Sequence, residues 1–260
     1  MRFYKYQGTG NDFIIFDDRN QFFKLGQKQI AQLCHRRFGI GADGLMLLQN
    51  ANDYDFRMVY YNSDGTLGTM CGNGGRCLVR FAADLGIVAG KTNFIAVDGP
   101  HTAFITDEDI SLQMQNVSEI TAIHQDFYTN TGSPHYVRFC PDVQQYDVRN
   151  TGAEIRYSDA FEGQGGTNVN FVQDLGQNSL FVRTYERGVE DETYSCGTGV
   201  TASALCAASQ FGHQSPVQIQ SLGGHLSVSF EGNAQDGYTN IFLTGPAVKV
   251  YEGEVSTKSA

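Results

Sequence analysis

MCGNGGRC, residues 70–77, and SCGTGV, residues 195–200, carry one pattern twice: a cysteine, a glycine, a polar residue and a second glycine at the mouth of an apolar-periodic run. Apolar residues at three- and four-residue spacing predict helices over Gly74–Asp84 and Thr198–Gln210, so both cysteines stand at helix starts. The approach to each is shared as well. Tyr61-Asn62 and Tyr185-Glu186 each close an extended apolar run, and Cys-Gly follows about ten residues later. Farther upstream, Thr9-Gly10-Asn11 is echoed by Thr131-Gly132-Ser133 at a nearly equal offset. Such self-similarity is the mark of a duplicated architecture. It predicts two similar domains, 1–118 carrying Cys71 and 119–260 carrying Cys196, with the boundary in NVSEITA, residues 116–122, which shows no clear periodicity.

The remainder of the chain reads as short strands joined by tight turns. Thirty glycines, five prolines and repeated Val/Ile/Phe/Tyr-rich runs point that way. Strands are predicted over Phe13–Asp17, Phe56–Tyr61, Phe94–Val97, Thr102–Thr106, Tyr136–Phe139, Val169–Gln173, Leu180–Tyr185, Val217–Gln220 and Tyr238–Leu243, with one further helix over Lys28–Arg37. The fold class is mixed α and β.

Composition narrows the function. The 260 residues, 41% apolar and 18% charged, describe a globular chain able to bury a real core, with no apolar run long enough for a membrane helix. A net charge of -10 without a basic patch argues against nucleic acid as partner. The start, MRFYKYQGTGND, lacks the pattern of a secretory signal, so a cytoplasmic protein with reduced thiols is expected. The six cysteines form no CxxC pairs, which argues against a structural metal site. Cys34, Cys77, Cys140 and Cys206 sit among apolar neighbours or at helical spacing and are assigned to packing.

The two remaining cysteines carry chemistry. A thiol at a helix N-terminus feels the positive end of the helix dipole and nearby N–H donors, which favour thiolate. Gly72 and Gly197, next in sequence, leave the first-turn backbone uncovered for an anion such as a carboxylate. Two such sites in duplicated halves suit inversion of a carbon stereocentre, where one group removes a proton and another returns one to the opposite face. The helix starts then hold the carboxylate whose charge grows as the carbon becomes carbanion-like.

GTGNDF, YNSDG, MCGNGGRC, GSPHYV, GTNVNF and YERGVEDETYSCGTG occur in that order along the whole chain, which closely resembles the diaminopimelate epimerases. The resemblance implies an α+β fold of two pseudo-symmetric domains, each a sheet wrapped around a central helix, with the active site in the cleft between them. It also implies cofactor-independent interconversion of LL- and meso-2,6-diaminoheptanedioate, in lysine and peptidoglycan precursor synthesis. By the same resemblance Cys71 and Cys196 are the acid/base pair, and Gly72, Asn73, Gly197 and Thr198 bind the reacting carboxylate. Asn11, Asn62 and Asn168 are substrate-binding amides, and Ser133 is a further substrate contact. Glu186 and Arg187 suit the ammonium and carboxylate of the other substrate end, and His135 and Glu186 modulate the cysteine pKa values. No metal or cofactor is implied; the partner is the small-molecule substrate, and a homodimer is compatible with the chain.

Two positions depart from the family pattern: Gly44 in GIGADG and Ser133 in GSPH replace the glutamine and asparagine of some members, so a direct contact at each is lost or bridged by water. Three rival readings exist. Gly197–Ala202 formally fits a dinucleotide fingerprint, but the polar loop Glu186–Ser195 separates it from the preceding strand. A two-domain cleft can also bind without reacting. Proline or hydroxyproline racemases use two cysteines as well, yet a cyclic substrate has no second amino-carboxylate end for Glu186-Arg187. Taken singly, the asparagines near glycine also read as turn formers and Glu186-Arg187 as a surface ion pair.

Overall fold

A computed structural model describes residues 1–163 and 165–256. In chain order the first elements are β1 (Arg2–Gly8), β2 (Asn11–Asp17), α1 (Gln27–Cys34), β3 (Gly44–Gln49), β4 (Phe56–Asn62), α2 (Gly72–Asp84), β5 (Lys91–Ala96), β6 (Gly99–Ile105) and β7 (Asp109–Gln113). The next set is β8 (Ile120–Ile123), β9 (Asp126–Asn130), β10 (Pro134–Phe139), α3 (Val148–Arg156), α4 (Asp159–Glu162), β11 (Asn168–Gly176), β12 (Ser179–Glu186) and β13 (Asp191–Thr193). The chain finishes with α5 (Gly197–Phe211), β14 (Val217–Ser221), β15 (Gly224–Asn233), β16 (Gly237–Pro246) and β17 (Val248–Glu254).

The chain forms two compact units, Met1–Leu112 with the segment from Pro246 onward, and Gln113–Gly245. In the first unit β17, β1 and β2 pair antiparallel, β2 runs parallel to β3, β3 antiparallel to β4, β4 parallel to β5, and β5, β6 and β7 antiparallel. The second unit repeats that sequence of pairings. β8, β9 and β10 are antiparallel, β10 parallel to β11, β11 antiparallel to β12, β12 parallel to β14, and β14, β15 and β16 antiparallel. Each parallel step needs a crossover, and helices supply it at equivalent places: α1 against α3 and α4, and α2 against α5. The division differs from a single cut near residue 118, because β17 returns to pair with β1 and carries the end of the described chain into the first unit.

Each unit is built around one helix. In α2, Asn73–Val79 is buried without a break, and in α5 so is Val200–Ala207. α5, apolar on nearly every side, belongs inside its domain, whereas α2 keeps Arg80 and Asp84 on a less buried face. Around α5 lie Val137, Val172, Leu180, Val182, Ile219, Val228, Ile241 and Leu243 from the surrounding strands, all nearly solvent-free. On α2, Phe81 takes the rings of Tyr4 and Tyr6 from β1. Among the described residues no helix is long and apolar enough to cross a membrane.

Candidate active site

The first unit assembles its candidates at the start of α2. Cys71 is the N-cap, in extended conformation (φ -116°, ψ 123°), and its carbonyl accepts from Gly75 N at 2.7 Å. The N–H groups of the first turn therefore point along the axis past Cys71 without an intrahelical acceptor, a geometry that receives an anion. Gly10 lies between β1 and β2 with φ +84°, a left-handed turn that glycine adopts without strain. That turn brings Asn11 to the thiol: Cys71 Sγ lies 3.6 Å and Asn73 Nδ2 3.5 Å from Asn11 Oδ1. Asn11 Nδ2 donates to Asp43 at 2.7 Å, which fixes the amide with its oxygen toward the thiol.

Behind Asn11 the charges are tied together. Arg36 reaches Asp12 at 2.7 Å and Asp43 at 2.6 Å, and Lys5 pairs with Asp12. Burial pushes the Asp12 carboxyl up, but bonds from Arg36 and Lys5 outweigh it and hold it at about 2. Asn62, at the end of β4, donates to Thr66 Oγ1 at 3.1 Å and lies opposite Gly44 of β3. At Gly44 any Cβ would come within 2.8 Å of the Tyr61 carbonyl and closer still to the ring of Tyr60. Tyr60 occupies the space a longer side chain at 44 would need.

The second unit assembles the rest. Cys196 is the N-cap of α5 (φ -109°, ψ 110°), 7% exposed, and its carbonyl accepts from Val200 N at 2.8 Å. A chain of hydrogen bonds leads to its sulfur. Asn170 Nδ2 donates to Tyr136 O at 3.0 Å while its oxygen accepts from Thr184 Oγ1 at 2.9 Å, so the same NH2 group donates to His135 Nδ1 at 3.0 Å. With Nδ1 an acceptor, the ring proton sits on Nε2 and donates to Thr198 Oγ1 at 2.9 Å, which in turn lies 3.5 Å from Cys196 Sγ. His135 is fully buried; burial and then the Arg187 charge push its pKa down to about 3, so it is neutral at physiological pH. Thr131 Oγ1 donates to the Thr198 carbonyl at 2.9 Å, which gives the Thr9/Thr131 echo a shared place beside the helix starts.

Asn168 joins the polar side of this cluster. Its Nδ2 donates to Ser133 Oγ at 2.8 Å and its Oδ1 accepts from Arg187 N at 2.9 Å. Among the described residues the Arg187 guanidinium reaches neutral acceptors, Gly166 O at 3.4 Å and Ser133 Oγ at 3.5 Å, and stays available for an anion. Glu186 accepts from Thr193 Oγ1 at 2.9 Å. Two ion pairs brace the loop between Arg187 and Cys196: Glu190 with Arg156 and Glu192 with Arg183, both at 2.6 Å.

Thus Cys71, Gly72, Asn73 and Asn11 come together in one unit, with Asn62 at the neighbouring strand end. Ser133, His135, Asn168, Glu186, Arg187, Cys196, Gly197 and Thr198 gather in the other. Sequence reasoning passed over Asn170 and Arg76. Asn170 stands two residues after Asn168 on β11, facing inward to the helix, and period-2 alternation places the two on the same face. Arg76 is fully buried, a position that no charge pattern foretells.

The sequence matches the family model described as diaminopimelate epimerase over residues 3–118 and 127–250. A diaminopimelate epimerase of Flavobacterium psychrophilum is 55% identical across 97% of this chain and 99% of its own, and one of Chlorobaculum tepidum is 40% identical across 96% and 99%. A phenazine biosynthesis protein of the PhzF family from Bacillus anthracis shares the fold at a TM-score of 0.77 and 12% identity, over 98% of this chain and 99% of its own. With its duplicated units and paired helix-start cysteines, the chain belongs to the diaminopimelate epimerase family, isomerases that act as amino-acid epimerases.

Proposed function

We propose that this chain converts LL-2,6-diaminoheptanedioate to the meso form without a cofactor, with Cys71 and Cys196 as the acid/base pair, in lysine and peptidoglycan precursor synthesis. The observation that carries the reading is the doubled helix start: each unit places one cysteine as N-cap of its central helix. One thiolate removes the α-proton, and the electron pair left on carbon delocalises into the attached carboxylate. The first-turn N–H groups of α2 and α5 meet that growing charge. The other thiol donates its proton to the opposite face, so the two sulfurs exchange protonation states in each turnover and the reverse reaction begins from the exchanged form.

Asn11 Oδ1 suits the thiol form of Cys71, accepting its proton. Thr198, held by His135, suits the thiolate form of Cys196, since its hydroxyl can donate to sulfur. At the far end of the substrate, Arg187 binds the second carboxylate, with Asn168 and Ser133 beside it and Glu186 toward an ammonium.

Epimerisation followed by solvent-deuterium incorporation at the α-carbon tests this. Cys71→Ala and Cys196→Ala should each lower the rate by about 10²–10⁴-fold with the fold retained. Proline and hydroxyproline should not be turned over. A folded single variant keeping most of the parent rate would overturn the assignment.

A further inference from the structure

Arg76 lies one turn into α2, and helical side chains lean toward the N-terminus, so its guanidinium lies beneath the turn that Cys71 caps. It is fully buried. Nη2 donates to Asn73 Oδ1 at 3.1 Å and to Thr9 Oγ1 at 3.3 Å. Nε and Nη1 are buried with no hydrogen-bond partner among the described residues. The packing around it is tight: a Cβ on Gly8 would stand 3.4 Å from Nη2 and 3.3 Å from Cys77 Sγ. Among the described residues no carboxylate neutralises the guanidinium by direct contact. The titratable groups that feel it are Cys71 and Cys77 on its own helix, and Asp109 at the start of β7.

An unpaired buried charge is a poor stabiliser, and an apolar side chain of similar length serves packing better. Arginine nevertheless stays charged, since its guanidinium does not lose a proton in proteins. Of the groups it feels, Cys77 is fully buried and pushed up to about 12 by desolvation, so it remains a thiol. The anion that benefits is at the mouth of the helix.

We infer that Arg76 is a positioning and charge-supplying residue of the Cys71 half-site: it holds Asn73 and the Thr9 turn in place, and its unneutralised charge supports the thiolate of Cys71. The inference rests on Cys71 being the reactive thiol of this unit, and its test reads the thiol directly, with no need for turnover. In a Cys196→Ser chain, iodoacetamide modification of Cys71 is followed against pH by peptide mass spectrometry, with Arg76 intact or replaced by Lys, Gln or Met.

Loss of one nearby opposite charge raises a pKa by about 1–3 units. Arg76→Met and Arg76→Gln should therefore shift the modification midpoint up by at least about one pH unit, with about tenfold slower labelling at neutral pH. Arg76→Lys should recover most of the shift, and Arg76→Met should melt no lower than the parent. Three results would each overturn the inference. An unchanged midpoint in the folded Met variant denies the charge effect, a parent-like midpoint in the Gln variant assigns the role to hydrogen bonding alone, and a Met variant that fails to fold makes Arg76 a structural tie. If instead Cys71→Ala keeps its epimerase rate while these midpoints shift, the proposed mechanism fails and the Arg76 effect stands.

Discussion

Behind Cys71, the opening of α2 rests on a fully buried guanidinium; behind Cys196, the opening of α5 rests on a fully buried, neutral imidazole. At the same offset from its cysteine as Arg76, the second helix carries Thr201, whose hydroxyl turns back to the Gly197 carbonyl at 2.9 Å. The second glycines differ as well. Gly199 is pressed against Asn170 and His135, whereas Gly74 faces the thioether of Met46. Duplication has kept the backbone device, a cysteine N-cap with open first-turn donors, and replaced the chemistry behind it. Under the proposed mechanism, in which each thiol serves one face of a chiral carbon, the backbone requirement is shared and the electrostatic requirement is separate for each thiol.

The sharpest break of this comparison is a methyl group on each second glycine. At 199 a Cβ would fall well inside 3.0 Å of Asn170 Oδ1, an amide held by bonds to Tyr136, Thr184 and His135. Gly199→Ala should cost about 1–3 kcal/mol of stability and, by displacing Asn170, lower kcat by about 10- to 100-fold. At 74 a Cβ would stand 3.2 Å from Met46 Sδ, the end of a flexible side chain. Gly74→Ala should change stability by less than about 1 kcal/mol, because improved helix propensity offsets the adjustment. Thermal melts and a coupled assay on the pair decide it, and equal effects would mean that the two helix starts are packed alike.

A smaller effect isolates the imidazole. His135 titrates at about 3 when folded, against an ordinary value of 6.5. Between those values the unfolded chain binds a proton that the folded chain does not, so stability rises with pH. The contribution is complete above about 6.5 and is lost as pH falls, by up to about 1.4 kcal/mol per unit. The difference in unfolding free energy between parent and His135→Gln, measured from pH 7 down to 4, should show that slope. A difference independent of pH would mean that the folded ring takes up a proton as readily as the unfolded one.

The smallest expected effect is at Cys77, six residues beyond Cys71 and fully buried. As a thiol it has no part in proton transfer, so Cys77→Ala should keep activity within about twofold and lose about 1 kcal/mol of stability. A large loss of activity in that folded variant would blur the separation between the two thiols of α2.

Much of this was legible in the chain. Tyr-polar-loop-Cys-Gly-x-Gly, written twice, foretold two units with a helix after each cysteine, and the predicted helices over 74–84 and 198–210 fall inside α2 and α5. Glycine at 10 and 132 stands in turns beside Asn11, which reaches Cys71, and Ser133, which reaches Asn168. Less visible were β3, whose GLMLLQ lacks alternation because nearly every residue is buried, and β17, whose exposed VKVYEGE has no apolar face to announce it. The helix α3 was hidden because its face to the core is short, Val148 with Ala153 and Ile155, among mostly polar residues.

Local sequence, then, determined many of the elements and the candidate reactive groups, since helix starts, left-handed turns and alternating strands are written in nearest-neighbour chemistry. Tertiary structure alone decided that the last described strand returns to the first, that Tyr60 fills the space beside Gly44, that Asn170 sets the His135 tautomer, and that Arg76 is buried with no counter-ion in contact among the described residues. Each of these depends on which distant residues share a boundary, and a one-dimensional pattern carries burial and periodicity but no partner.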